Sequence, residues 1–349
     1  MDFFAFLRKK TFCGLDLGQS WAKAVKLSPG RQPYLTKLGR IAWEKSDWQD
    51  KQNIAARLNQ FWKNLEFKEK IVLTSMAGHD VMIKRVDLPF SGEKFSWEDI
   101  NKHAQEYIPF NINDVYIDFQ EMGEGSKESS KNVLLVASKQ QMVHDLQNLL
   151  QQAGLQVSVV DVDGFALSNC FEFNYPDLLS QTTYLLDIGE THSTFCVFSQ
   201  NRPIFVRDIS FGGQQITEKL KKNLHMSNTD IEKFKISGFY GKEDTNKAKL
   251  ETEEIYSSWS EEIQHLINFY QNSQQNAQAA DKLMISGGGS LIPGLKHNLA
   301  TYLDMETEYI NPWRQIQYDD HNFDPAYLNS IGPQFAICVG LALRTLTHT

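Results

Sequence analysis

The chain is apolar almost without break from 12 to 18, and residues 22–27 then alternate as Ala-Lys-Ala-Val-Lys-Leu. A continuous apolar run followed by period-two alternation predicts two strands, and the glycine between them predicts a tight turn. Ile54, Leu58, Phe61, Trp62 and Leu65 fall at the three-to-four spacing of one buried helical face, so a helix is predicted over 53–65. Strands over 71–76 and 81–86 follow. Leu88-Pro89-Phe90-Ser91-Gly92 then breaks the pattern. Beyond it the chain predicts a helix over 97–107 and strands over 115–120 and 132–137, with 121–131 a polar, solvated loop between the strands. A helix over 139–153, stopped by Gly154, and a strand over 155–160 complete what reads as an inserted subdomain.

A short helix after Asp161-Val162-Asp163-Gly164 leads to a second β series, predicted over 184–188, 193–198 and 203–207. Helices then dominate to residue 280. Gly212-Gly213 opens one, Asn228 caps another, and a long one covers 254–278; the charged stretch 242–249 reads as a solvent-facing loop. A strand over 282–286, a glycine run, a helix over 295–303 and a closing apolar helix over 335–343 finish the chain. The expected domains are a first-lobe core of 11–86 completed by 160–182 and 333–349, the insertion 87–159, and a second lobe of 183–332 whose helical part is 213–280.

At 349 residues there is material for two domains or one two-lobed unit with substantial cores. With 43 acidic and 35 basic residues the net charge is −8, which argues against nucleic acid as a partner, because affinity for phosphate backbones comes mainly from Lys and Arg. Cys13, Cys170, Cys196 and Cys338 form no Cys-x-x-Cys pair and read as buried free thiols in a reducing compartment. No run approaches 18 apolar residues, and in 1–10 the basic triplet follows the Phe-rich stretch, the reverse of a secretory signal. A cytoplasmic location is expected. The segment 1–10 is read as packed on the protein, with contact to a membrane surface as the alternative.

Setting residue n against n + 171 aligns Asp16-Leu17-Gly18-Gln19-Ser20 with Asp187-Ile188-Gly189-Glu190-Thr191, each between an apolar strand and an alternating one. One such turn means little; two copies of one device are an internal repeat. A strand ending in Asp-apolar-Gly-x-Ser/Thr makes a turn whose amides and hydroxyl can hold a phosphate, while the Asp can hold a metal-bound water. A third glycine element, Ser286-Gly287-Gly288-Gly289-Ser290, follows an apolar strand and precedes Pro293 and a helix. Glycine lets backbone approach a flat ligand. Neither G-x-G-x-x-G nor G-x-x-x-x-G-K-[ST] is present, so Rossmann and P-loop readings do not apply.

These motifs resemble the actin-like ATPase superfamily, in particular the branch that holds FtsA and the type IV pilus assembly protein PilM. Gly14-Leu15-Asp16-Leu17-Gly18 with Lys23-Ala24-Val25 is similar to its first phosphate motif, Leu186-Asp187-Ile188-Gly189 to its second, and Ile285–Ser290 with Pro293-Gly294-Leu295 to its adenosine motif. Arg207-Asp208-Ile209 leading to Gly212-Gly213, the segment 160–167 and the insertion between 87 and 160 point to the PilM side of the branch. The resemblance implies an α/β, actin-like (ribonuclease H-like, duplicated) bilobed fold with an FtsA-type inserted subdomain, and ATP with Mg²⁺ as ligands.

Position by position, it assigns Asp16 and Asp187 to the catalytic Mg²⁺ water shell, and Gly18, Gln19, Ser20, Lys23, Gly189 and Glu190 to the phosphates. Gly212 and Gly213 would lie near the phosphates, Glu232 and Lys235 would contact the adenosine, and Gly287, Gly288 and Ser290 would flank the base. Gln19 and Trp21 replace small hydroxylic residues usual in the first loop, and Glu190 places a carboxylate beside the phosphates, so at most weak hydrolysis is expected. Asp163 is expected to cap its helix, with orientation of an attacking water as the alternative. The implied role is a cytoplasmic scaffold at the inner face of the inner membrane that recruits the cytoplasmic N-terminal segment of PilN. The implied partner set extends to other inner-membrane pilus components, the pilus motor ATPases and self-association. A small-molecule kinase and an FtsA-like polymerising cell-division protein are the alternatives.

Overall fold

The computed structural model describes residues 13–29, 32–44, 47–90, 95–239, 241–273 and 277–347. The segment 1–10, whose packing was at issue above, lies outside them. The strands are β1 (Cys13–Leu17), β2 (Trp21–Ser28), β3 (Tyr34–Ala42), β4 (Ile71–Met76), β5 (Val81–Pro89), β6 (Val115–Glu124), β7 (Ser130–Lys139), β8 (Gln156–Val162), β9 (Thr183–Ile188), β10 (Ser193–Ser199), β11 (Arg202–Ile209), β12 (Lys282–Ser286) and β13 (Glu306–Tyr309). The helices are α1 (Lys51–Asn64), α2 (Trp97–His103), α3 (Gln140–Gln152), α4 (Asp163–Asn174), α5 (Gly213–Leu224), α6 (Asn228–Ser237), α7 (Lys242–Ser273), α8 (Leu295–Leu303), α9 (Pro325–Ile331) and α10 (Ala336–Thr347).

Two five-stranded sheets share one topology. The first runs β3-β2-β1-β4-β8 and the second β11-β10-β9-β12-β13. In each, three consecutive strands form an antiparallel meander, and the first of them pairs in parallel with a later strand, β1 with β4 and β9 with β12. The repeat of Asp16 and Asp187 is therefore a repeat of whole sheets, each Asp standing at the end of the equivalent strand. A third sheet, β5-β7-β6, is antiparallel throughout.

The described residues of Met1–Ser75, Leu149–Pro176 and Tyr309–Thr349 make one compact unit, and Met76–Asn148 with Asp177–Glu308 make the other. These bounds differ from the expected ones. The block 87–159 is split at 148/149, β5 already belongs to the third sheet, and residues 309–332 gather with the first unit. Side chains explain the split. In the first unit Asn59 Nδ2 donates to Ala153 O at 2.8 Å and the Tyr175 hydroxyl accepts from Asn311 N at 2.7 Å. In the second, β11 is stapled to the third sheet: Arg207 donates to Ile83 O at 2.7 Å, Arg202 to Met122 O at 2.7 Å, and Gly78 N to Asp208 Oδ2 at 2.6 Å.

In the first unit α1 is capped by Asp50, whose carboxylate accepts from Gln52 N at 2.8 Å, and buries Ile54, Leu58, Phe61 and Trp62 as the periodicity predicts, with Ala55 added to the face and Leu65, just past the helix, half-buried. Helix α10 packs on α4 and β1. A Cβ on Gly340 would lie 1.7 Å from Ala166 O, and one on Gly14 would lie 2.2 Å from Cys338 O, so both crossings need glycine. Pro325–Arg344 has the length and mean hydropathy, 1.3, of a membrane span, but 72% of it is buried. It is α9, a 3-10 turn and α10 in succession.

In the second unit β9 and β10 are buried almost throughout, and Phe211 stacks on Trp259 with centroids 4.8 Å apart. The third sheet has its own core of Val86, Leu88, Ile100, Ala104, Val133, Leu135 and Ala137. Several expectations change here. The stretch 242–249 is the opening of α7, because small residues, Thr245 and Ala248, supply its buried stripe in place of large apolar ones. The loop between β6 and β7 narrows to 125–129, since Gly123 and Glu124 pair with Asn132 and Lys131 and carry the ladder on past the buried Met122. Ser227, not Asn228, caps α6, accepting from Asp230 N at 3.2 Å. Val162 precedes α4 without a side-chain cap, so Asp163 is the first helical residue and not the cap.

Candidate functional site

In the second unit three glycine turns meet at the ends of β9 and β12. Asp187 and Ser286 stand side by side in the parallel register, and the Ser286 hydroxyl donates to Asp187 Oδ2 at 2.8 Å. Just beyond, Gly287 adopts φ +84°, and a Cβ there would lie 2.3 Å from Ile188 O. Gly288 returns to φ −65°, and a Cβ on it would meet nothing within 4 Å. Ser290 is fully buried and donates to Gly287 O at 2.8 Å, bracing the loop from within.

The remaining turn packs on the second Asp-x-Gly turn, main chain against main chain. Gly213 N donates to Gly189 O at 3.0 Å and Gln214 N to Glu190 O at 2.8 Å. A Cβ on Gly212 would lie 2.6 Å from Glu190 O, and one on Gly213 would lie 2.9 Å from Glu190 Oε2. Side chains at 212 or 287 would drive these loops apart, whereas one at 213 would displace only the ends of the Glu190 and Lys235 side chains.

Helix α6 aims Lys235 into the same place. Its ammonium, only 9% exposed, donates to Glu232 Oε1 at 3.0 Å, Thr217 Oγ1 at 3.2 Å and Glu190 Oε2 at 3.3 Å. Glu232 and Lys235 thus form the i, i+3 pair legible in the sequence, and the added contact to Glu190 is a finding of the structure. A carboxylate that would repel phosphate stands beside a buried cation, which offsets its charge.

The first unit carries the other Asp-x-Gly turn, joining β1 to β2. Asp16 and Lys23 face each other in the ladder and pair at 2.7 Å, their side chains 12% and 11% exposed. Behind them the Cys338 thiol donates to Gly14 O at 3.2 Å and Lys23 O at 3.3 Å, and burial pushes its pKa well up. Burial also pushes the Cys13 thiol up to about 12.

The turn itself is held from outside. Trp43 Nε1 donates to Gly18 O at 2.9 Å, Trp48 Nε1 to Gln19 O at 2.8 Å, and Trp43 N to Ser20 O at 2.9 Å. Neither tryptophan was singled out from the sequence. The available signal was two tryptophans five residues apart in a polar stretch just after an unpredicted strand. Among the expected residues, then, Asp187, Gly189, Glu190, Gly212, Gly213, Glu232, Lys235, Gly287, Gly288 and Ser290 share the second unit, and Asp16, Gly18, Gln19, Ser20 and Lys23 share the first. Among the described residues no group of three or more His, Cys, Asp or Glu is placed to hold a metal directly.

Comparison with known proteins decides the family. A profile of the type IV pilus assembly protein PilM matches residues 14–346. The chain belongs to the type IV pilus assembly protein PilM family. The solved PilM-PilN type IV pilus biogenesis complex contains a chain similar to this one, with TM-score 0.85 and 22% identity over 97% of this chain and 99% of that one. The ethanolamine utilization protein EutJ from Carboxydothermus hydrogenoformans matches with TM-score 0.54 and 13% identity, over 96% of this chain and 89% of its own. MreB 5 of Spiroplasma citri, solved with AMPPNP, matches with TM-score 0.52 and 9% identity, over 95% and 94%. The fold is the actin-like one, α/β and duplicated, and the family's work is pilus assembly.

Proposed function

We propose that this PilM-family chain binds ATP with Mg²⁺ and serves as a scaffold whose nucleotide state governs capture of the short cytoplasmic N-terminal segment of PilN. The observation that carries the nucleotide half is the meeting of three glycine turns in the second unit, with Lys235 buried beside them and open space over Gly288. Close main-chain packing requires glycine at 212 and, with its positive φ, at 287, whereas a Cβ at 213 would meet only the Glu190 and Lys235 side chains. Gly288 is different: its conformation is ordinary and its surroundings are empty, so a flat group resting on it is the reason a side chain would be unwelcome. The residues fit a nucleoside triphosphate. Gly287 and Gly288, braced from within by the buried Ser290, form the base side, Glu232 and Lys235 the ribose side, and the turns at Gly189–Glu190 and Gly212–Gly213 the phosphate side.

The equivalent turn of the first unit, Gly18-Gln19-Ser20 with Lys23, carries the same device and is read as a phosphate-binding turn in its own unit. Asp187, which accepts from the Ser286 hydroxyl, would hold Mg²⁺ through water, with Asp16 the equivalent residue of the first unit, and the cation would supply the positive charge a triphosphate needs. Turnover is weak, and binding is the function.

The PilN half is supported by the PilM-PilN complex among the similar structures. The third sheet is the proposed capture surface, since Trp97 of α2, 48% exposed, packs edge-on against Phe119 of β6, and on the opposite face of that strand Tyr116, also 48% exposed, packs against His144 of α3. Exposed aromatic side chains of this kind favour peptide contact. The protein works in the cytoplasm, at the inner face of the inner membrane through PilN, with other pilus components joining there. Substituting Asp187→Ala tests the nucleotide site: Mg-ATP affinity measured by calorimetry is expected to fall, and an unchanged affinity removes the site from the proposal.

A further inference from the structure

We propose that Trp43 and Trp48 are positioning residues for phosphate binding, fixing which way the peptide groups of the first glycine turn face. The inference rests on the nucleotide reading above and extends it to two residues outside the turn. Three successive carbonyls, of Gly18, Gln19 and Ser20, all accept from Trp43 or Trp48, at 2.9, 2.8 and 2.9 Å. An indole nitrogen donates and never accepts, so it can hold only the carbonyl side of a peptide group. In a planar trans peptide the N–H points opposite to the C=O. The amides of Gln19 and Ser20, which share peptide groups with the carbonyls of Gly18 and Gln19, therefore face away from the tryptophans.

That sense matters for an anion. A short turn can present either its amides or its carbonyls, and a phosphate is attracted by the first and repelled by the second.

The donors stand on a built support. The two indoles pack edge to face, with centroids 6.0 Å apart and an interplanar angle of 75°. Arg57 of α1 pairs with Asp47 at 3.0 Å and Glu44 at 2.9 Å and donates to Ala42 O at 3.0 Å. Asp47, buried, also accepts from Glu44 N at 2.7 Å. The segment carrying the tryptophans is thus anchored on a helix, and the turn is anchored on the segment.

The test uses the full-length chain and Mg-ATP titrations. Trp48 is 39% exposed, so Trp48→Phe keeps most of the ring packing while deleting the N–H donor. Trp48→Phe is expected to weaken Mg-ATP binding about three- to tenfold, the consequence of one lost hydrogen bond. Trp48→Ala, which also removes the ring packed against Trp43, is expected to weaken it at least as much. The adenosine dissociation constant, obtained by displacing a fluorescent ATP analogue and corrected for the analogue's own affinity, is expected to be the same for wild type and both variants, because adenosine carries no phosphate. Wild-type affinity in Trp48→Phe, or equal losses toward adenosine and ATP, would overturn the positioning role. Failure of the wild-type chain itself to bind Mg-ATP would instead overturn the nucleotide reading and take the tryptophan role with it.

Discussion

Two adjacent glycines separate what the fold needs from what a ligand needs. At Gly287 the main chain has φ +84°, and an added Cβ would lie 2.3 Å from Ile188 O and 2.7 Å from Ile188 N and C. Backbone atoms must therefore retreat by about 0.7 Å to reach even a tight contact, on top of the roughly 1–2 kcal/mol that a left-handed conformation costs an L-residue. Crowding of this kind adds about 1–3 kcal/mol, so Gly287→Ala is expected to lose about 2–5 kcal/mol of stability. At Gly288, with φ −65°, ψ −34° and nothing within 4 Å, the same methyl costs the fold nothing and restricts the unfolded chain, a gain of about 0.4–1 kcal/mol.

If a base rests on Gly288, that methyl takes its place and costs binding about 1–3 kcal/mol, roughly five- to 150-fold in Kd. Thermal melting without nucleotide reads the first effect, since bound ligand would mask it. Titration with Mg-ATP reads the second. The expected pattern is a lowered melting temperature for Gly287→Ala alone and, for Gly288→Ala, a slightly raised one with weakened binding. Wild-type affinity in both Gly288→Ala and the bulkier Gly288→Val would show that no ligand lies there and would refute the argument.

Further expectations follow from single contacts. Lys235→Met leaves Glu190 without its cation, so affinity for Mg-ATP should fall by about tenfold or more while affinity for adenosine changes less; equal losses would show that the lysine does not act through charge. Gly340→Ala places a methyl 1.7 Å from Ala166 O where α10 crosses α4, and soluble yield and melting temperature should both drop; a normal melt would mean the helices part freely. Cys13 titrates near 12 in the folded chain and near 9 when unfolded, so between those pH values the native state keeps a proton the unfolded state has lost. Its contribution to stability is intact below about pH 9 and declines at most about 1.4 kcal/mol per pH unit above it. Urea unfolding of Cys13→Ala should therefore show a shallower decline between pH 9 and 11 than wild type, and parallel curves would contradict this.

Much of this architecture could be read from residue order, for definite reasons. The paired Asp-x-Gly turns announced a duplicated fold because each sits at the end of an apolar strand, and sheet topology repeats where the motif repeats. Glu232 and Lys235 were legible as an i, i+3 pair, whereas their meeting with Glu190 was not, because it depends on α6 docking beside the β9 turn. Strand β3 escaped notice since Thr36, Lys37, Gly39 and Arg40 interrupt any alternation, and Gly39 makes room there for Leu65. The start of α7 hid behind small buried residues. Trp43 and Trp48 act through hydrogen bonds to main-chain carbonyls, and a carbonyl leaves no trace in a residue pattern.

The most direct measurement is a calorimetric titration of the full-length chain with Mg-ATP, repeated after saturation with a peptide copying the cytoplasmic N-terminal segment of its PilN. The account predicts that ATP binds, that the peptide binds, and that each changes the affinity for the other by the same factor, as linkage requires. ATP affinity identical with and without bound peptide would contradict nucleotide control of partner capture, and absence of ATP binding in both titrations would contradict the nucleotide site itself.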